Sequence, residues 1–244
     1  MRKILALVLT GVFAFGVVNM ANAGEETQKE EFTISPTKLS KTKPQKIEYV
    51  NTITTSDKPG TFQPPKATRT VLDLPKQFKL NYTKVPYCKT DADGLNAAAT
   101  VADAKKACGS GSQVSTDSGS SAQVRVGGAV GATVIDVDVV AFNENGKKLL
   151  LYSKPTGAFS GIAATILVGK LKESKSGKAY DKALDVTIPP LTAGAISFFE
   201  VTIPKSKYIM AKCNNKTIKA QATTYFEDNP TSTDDHSVKC KPKK

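Results

Sequence analysis

Residues 133–153 read TVIDVDVVAFN, then ENG, then KKLLLYS, and this stretch decides the fold. From Thr133 to Asn143 the chain alternates: Ile135, Val137 and Val139 fall on one face, Asp136 and Asp138 on the other. A period of two is that of a strand with one face buried and one in water. Asn145-Gly146 is the dipeptide that accepts positive φ at both central positions of a type I′ turn, so Lys147–Ser153 is predicted to fold back as the partner of a hairpin.

Outward from this hairpin the same signals recur. Strands are predicted over Thr70–Leu74, Phe78–Tyr82, Ile162–Leu171, Ala183–Ile188, Ile196–Ile203, Tyr208–Cys213 and Thr217–Phe226. Pro75, Pro189-Pro190 and Pro204 separate them, because proline cannot donate to a central ladder. One stretch changes period. Leu95, Ala98, Ala99 and Ala102 recur at helical spacing, with Asp91 and Asp93 at the start, Lys105 and Lys106 at the end and Gly109 just beyond. Short strands, one helix and no strand–helix alternation predict an all-β chain, a two-sheet antiparallel β-sandwich of immunoglobulin-like or jelly-roll form. The chain has no Trp, the usual pin of antibody-type domains.

The first residues, MRKILALVLTGVFAFGVVNMANA, combine Arg2 and Lys3, an apolar run from Ile4 to Val18, and Ala21 and Ala23 where signal peptidase reads small side chains. They predict a signal peptide over 1–23 and a secreted chain, extracellular or associated with the cell envelope. Residues 24–66 are polar and broken by Pro36, Pro44, Pro59, Pro64 and Pro65, which predicts a flexible leader with one short strand at Lys46–Val50. The sandwich domain then occupies 67–244. No later apolar run approaches the roughly 20 residues of a membrane-spanning helix, so an integral membrane protein is not expected.

All four cysteines, Cys88, Cys108, Cys213 and Cys240, follow the signal peptide, an even number in a compartment where disulfides persist. Three connectivities are open, and the local one, Cys88–Cys108 with Cys213–Cys240, is expected because each pair brackets one compact unit. The formal net charge is +12, and beyond Arg2 the basic residues are lysines except for Arg69 and Arg125. Lysine is a hydrated point charge, whereas forked recognition of phosphate and base edges calls on arginine. Specific nucleic-acid binding is therefore disfavoured, and anionic cell-envelope polymers are the partners that the charge suits.

Three constellations could carry chemistry. Asp136 and Asp138 share a strand face with Cβ atoms about 7 Å apart, a pairing that could serve an extracellular carbohydrate-active hydrolase. Asp91, Asp93 and Asn96 have the oxygen density of a calcium loop and could support calcium-dependent adhesion, although the spacing departs from the EF-hand and helix capping explains the acids. His236, the one histidine, lies in a polar segment beside Asp234 and Asp235 that reads as an exposed loop. No other cofactor is indicated.

Leu72-Asp73-Leu74-Pro75 with Phe78, Pro86-Tyr87-Cys88, Ala107-Cys108-Gly109-Ser110, Ile188-Pro189-Pro190-Leu191, and Ala211-Lys212-Cys213 followed by Thr223 and Phe226-Glu227-Asp228 occur in a characteristic order. In these the chain resembles a group of secreted proteins of unknown function from actinobacteria and their relatives. The resemblance implies export, a β-rich domain and both cysteine pairs, and it carries no functional residues. The segment after Phe226 departs from the short glycine turn of that group. Together these readings lead to a secreted, non-catalytic β-sandwich that serves as an envelope-associated binding or structural module.

Overall fold

Eleven strands hydrogen-bond into one antiparallel sheet, in the spatial order β1-β4-β12-β7-β8-β9-β10-β11-β5-β14-β15. The structure is a computed structural model that describes residues 27–243 apart from 59, 129–130, 192 and 229–230. The signal peptide predicted over 1–23 lies outside the described residues. The strands in chain order are β1 (Gln28–Ser35), β2 (Lys38–Ser40), β3 (Gln45–Lys46), β4 (Glu48–Thr55), β5 (Ala67–Pro75), β6 (Phe78–Leu80), β7 (Ser121–Gly128) and β8 (Gly131–Asn143). They continue with β9 (Lys148–Pro155), β10 (Thr165–Glu173), β11 (Tyr180–Thr187), β12 (Ala195–Ile203), β13 (Ile209–Ala211), β14 (Thr217–Phe226), β15 (Thr231–Lys239) and β16 (Lys241–Lys243).

The sheet curls until its two edges meet. Open sheets beyond about ten strands accumulate enough twist to curl or split, and here β1 comes to lie against β15. No backbone ladder joins these two strands; instead the Gln28 backbone N–H donates to Ser232 Oγ at 3.1 Å and the Glu30 N–H to Asp234 Oδ2 at 2.7 Å. The rings of Phe32 and His236 meet edge to face, with centroids 5.4 Å apart. The result is a nearly closed barrel.

The all-β, antiparallel expectation holds, and the arrangement differs from two stacked sheets. Alternation tells only that each strand buries one face, and a single sheet folded round on itself meets that requirement as well as two sheets do. Residues 28–55 also depart from the flexible leader expected over 24–66. Strand β1 pairs with β4 along its whole length, from Gln28↔Thr55 to Ser35↔Glu48, and alternates strictly between buried and exposed positions. Two of its buried residues are Gln28 and Glu30, so hydrophobic alternation did not reveal it. Likewise 231–237, read as a polar loop, lies within strand β15, paired with β14 from Thr217↔Lys239 to Tyr225↔Thr231.

The deciding hairpin forms with a different turn. Gly146 has φ of 75° while Asn145 has no positive φ, and the Glu144 N–H donates to Lys148 O at 3.0 Å, so the type I′ turn gives way to a longer loop. Asn143 holds that loop: its Oδ1 accepts from the Gly146 N–H, and its Nδ2 donates to the carbonyls of Tyr82 and Val85 at 2.8 and 3.0 Å.

The helical stretch is two helices, α1 (Ala92–Asn96) and α2 (Val101–Cys108). Thr100 divides them, since its Oγ1 accepts from the Asp103 N–H at 3.1 Å and starts a new helix. The pair covers the outer surface of β8 and β9, where Val140, Phe142, Leu150 and Tyr152 form a second core with Leu95, Ala104 and Cys108. Double burial explains why Leu149–Tyr152 is a continuous apolar run. The Tyr152 hydroxyl donates to Ala98 O at 2.9 Å, and the Cys88–Cys108 disulfide ties the helices down.

The second disulfide, Cys213–Cys240, lies in the buried cluster at one end of the barrel. There the three-stranded sheet β3-β13-β6 and the parallel pair β16-β2 fold across the opening, burying Leu39, Ile47, Phe78 and Ile209. The bridge spans 27 residues and links the start of β14 to the end of β15. Replacing Cys213 and Cys240 together by Ala is expected to lower stability by about 3 kcal/mol, the value for closing a loop of that length. Urea unfolding followed by circular dichroism checks this, and an unchanged midpoint would show the staple to be dispensable.

Candidate functional site

The inward faces of the barrel strands determine what the interior can hold. Leu72 on β5, Leu149 and Leu151 on β9, Leu167 on β10, Leu184 and Val186 on β11, and Phe199, Val201 and Ile203 on β12 all point into the barrel. They leave a central cavity of about 110 Å³. Eight strands suffice for side chains to fill a barrel; eleven give a wider interior.

Two further cavities adjoin it. Toward the open end it shares Leu167, Ile196 and Phe199 with a second cavity of about 290 Å³. That outer cavity is bounded by Ala122, Ile135 and Val137 on the wall and by residues 162–165 with Pro190, Leu191 and Ala193 at the rim. Ile162 on the rim is 48% exposed, so the mouth is apolar as well. Toward the closed end the central cavity shares Tyr49, Leu72 and Leu149 with a small pocket of about 50 Å³ above Tyr208 and Ile209. Phe32, Tyr49 and Phe78 stack around one another here, with ring centroids 5.4 to 6.5 Å apart. The lumen thus holds three adjoining apolar cavities, with a mouth beside the outer one and an aromatic cluster near the innermost.

One side of the lumen is polar. Gln28 on β1, Asn51 and Thr55 on β4, Thr70 on β5 and Thr224 on β14 line the central cavity. Thr70 and Thr224 satisfy each other through their hydroxyls at 2.8 Å. Asn51 Nδ2 donates to Glu30 Oε1 at 2.7 Å. Glu30 Oε2, the Tyr49 hydroxyl and both the Oε1 and Nε2 of Gln28 are buried without a hydrogen-bond partner among the described residues. Burial pushes the Glu30 carboxyl up from 4.5 to about 7, against the Asn51 hydrogen bond and with the help of the nearby Asp234, Asp235 and Glu31 charges. Burial, followed by the neighbouring Glu30 charge, also raises Tyr49 well above its ordinary range.

None of the residues expected to carry chemistry lies in this lumen. Asp136 and Asp138 stand on the exposed outer face of β8, where Asp136 accepts from Gln123 Nε2 at 3.1 Å. Neither lines the cavities of the lumen. Asp91 caps α1, its Oδ1 accepting from the Gly94 N–H at 3.0 Å; Asp93 lies in the first turn and Asn96 in the last residue of the helix, both exposed. Among the described residues no three His, Cys, Asp or Glu side chains gather where a metal ion could bind. His236 packs on Phe32 from β15 instead of standing in a loop. The residues missed, Gln28, Glu30 and Asn51, lie within the stretch read as a leader. Their signal was the alternation of Phe32 and Ile34 with exposed residues, which continues back through Glu30 and Gln28.

Compared with known protein families, curated proteins and solved structures, the chain matches none. No helix among the described residues is long and apolar enough to cross a membrane. The apolar surface of the barrel is on the inside, the reverse of a membrane-spanning barrel, whose apolar band faces lipid. Two disulfides suit an oxidising compartment.

The raised Glu30 carboxyl gives a test of the polar wall. Its folded value lies above its unfolded one, so its contribution favours folding below about pH 4.5 and is lost as the pH rises through about 7. The full span corresponds to about 3 kcal/mol. Glu30→Gln is expected to flatten the decline in stability between pH 5 and pH 8 that the unaltered chain shows. Parallel urea titrations across that range decide it; identical slopes would mean that Glu30 is not held in its neutral form.

Proposed function

We propose that this is a binding protein of an exported compartment that holds an apolar ligand in the lumen of its barrel, within the broader expectation of a non-catalytic binding module. The adjacency of the three apolar cavities, which share wall residues from an apolar mouth to an aromatic cluster, carries the reading. Concave, mostly apolar sites with a few convergent polar groups are the usual form of small-molecule pockets, and the outer cavity alone approaches their lower size limit of about 300 Å³. Walls made by strands of one hydrogen-bonded sheet are rigid, so the lumen is formed before a ligand arrives and little ordering cost attends binding.

The lysine-rich exterior supports attraction to anionic envelope surfaces, where apolar ligands are plentiful. The two disulfides agree with such a location.

Phenylnaphthylamine, an uncharged dye that brightens in apolar surroundings, is expected to bind the oxidised chain saturably. Ala193→Trp places a large side chain at the exposed rim of the mouth, away from the packed core, and is expected to slow uptake of the dye at least tenfold while leaving the melting temperature within about 2 °C. Stopped-flow fluorescence with a melting curve on each variant makes the comparison. Dye binding that is absent, or present with the same rate in Ala193→Trp, would remove the lumen from consideration.

A further inference from the structure

Gln28 stands out among the lumen residues. It is 7% exposed, it lines the central cavity, and neither its carbonyl nor its amino group has a partner among the described residues. A buried amide with both ends unmet is costly, and native interiors rarely retain one without a counterpart. Of the other polar groups here, Thr70 is matched with Thr224 and Asn51 with Glu30, while Glu30 Oε2 and the Tyr49 hydroxyl each lack a partner among the described residues; Gln28 alone leaves both ends of an amide unmet. What Gln28 offers is specific, an acceptor and a donor side by side in one plane.

The surroundings fix the charge of the counterpart. Glu30 is the next inward residue on β1, about 7 Å along the strand, and Asp234 lies against the Glu30 backbone. Two carboxyl groups at this distance in a low-dielectric wall oppose an anionic head. A cation would find compensation there, but Gln28 itself supplies no charge to bind one. The rest of the lumen, lined by Leu, Val, Ile and Phe, accepts a hydrocarbon chain.

Resting on the reading of the lumen as a ligand site, we propose that the ligand is a neutral amphipathic lipid. Its head is a carboxamide or a similar uncharged group with adjacent donor and acceptor, paired in the plane of the Gln28 amide. Its chain lies along the apolar wall of β9–β12. A site with buried polar groups rejects a ligand that lacks the matching ones, because binding then leaves those groups unmet in a drier place.

The test displaces phenylnaphthylamine from the full chain with dodecanamide, dodecane and dodecanoate at pH 8. Dodecanamide is expected to act at concentrations on the order of tenfold lower than dodecane, the gain from a well-made pair of hydrogen bonds. Dodecanoate is expected to do no better than dodecane. Gln28→Leu should close the gap by weakening dodecanamide alone. A readout that needs no substitution is the infrared carbonyl band of carbon-13-labelled dodecanamide bound to the unaltered chain, expected at a hydrogen-bonded frequency. Equal potency of dodecane and dodecanamide, a gap that survives Gln28→Leu, or a carbonyl band at its free frequency would overturn the assignment while leaving an apolar lumen in place. Failure of the dye itself to bind would instead strike at the lumen reading on which the assignment rests.

Discussion

Closure of the sheet at the seam between β1 and β15 is the constraint on which the structure depends. An eleven-stranded sheet with one apolar face can bury that face only by meeting itself, and the meeting point is made without a backbone ladder. Two backbone N–H groups of β1 reach side-chain oxygens of β15, one of them the carboxylate of Asp234. A charge-assisted bond of this kind is stronger than a neutral one and shields the edge of β1 from pairing with another chain. Had the seam been a full ladder, the neighbouring strands would have drawn closer and the lumen narrowed.

The remaining features fix the barrel from outside. Helices α1 and α2 cover an apolar part of the exterior on β8 and β9, and the Cys88–Cys108 bridge holds them there. The small sheets and Cys213–Cys240 close one end. The mouth is left to irregular segments around Ile162 and Pro190, which carry apolar side chains into partial contact with water. Rigid walls with the irregular backbone gathered at an opening are the usual arrangement of binding barrels.

The same physical property made parts of the fold legible in the sequence and hid others. Strands β8 and β9 announce themselves because their inward residues are Val and Leu and their turn contains Gly146. Strands β1 and β15 do not, because their inward residues are Gln28, Glu30, Ser232, Asp234 and His236, which hydrophobic periodicity counts as outward. Gln28, the unmet member of the polar wall, belongs to the first of these strands, so that part of the candidate site and the strand that carries it were concealed together. Asp136 and Asp138 show the converse. They were conspicuous because they alternate with Val, and that alternation is what places them in solvent.

The seam joins residues 204 positions apart, near the two ends of the described chain. Strand β1 leads in sequence and finds β4 close by, yet its other side has no neighbour until β15 has followed. Every intermediate length of chain that stops short of 231–239 is an open sheet with its apolar face uncovered. Long-range closure of this kind comes late and slowly in folding. The cavity is therefore completed by the last strand of the large sheet to arrive, and a chain still being synthesised has no interior in which to hold anything.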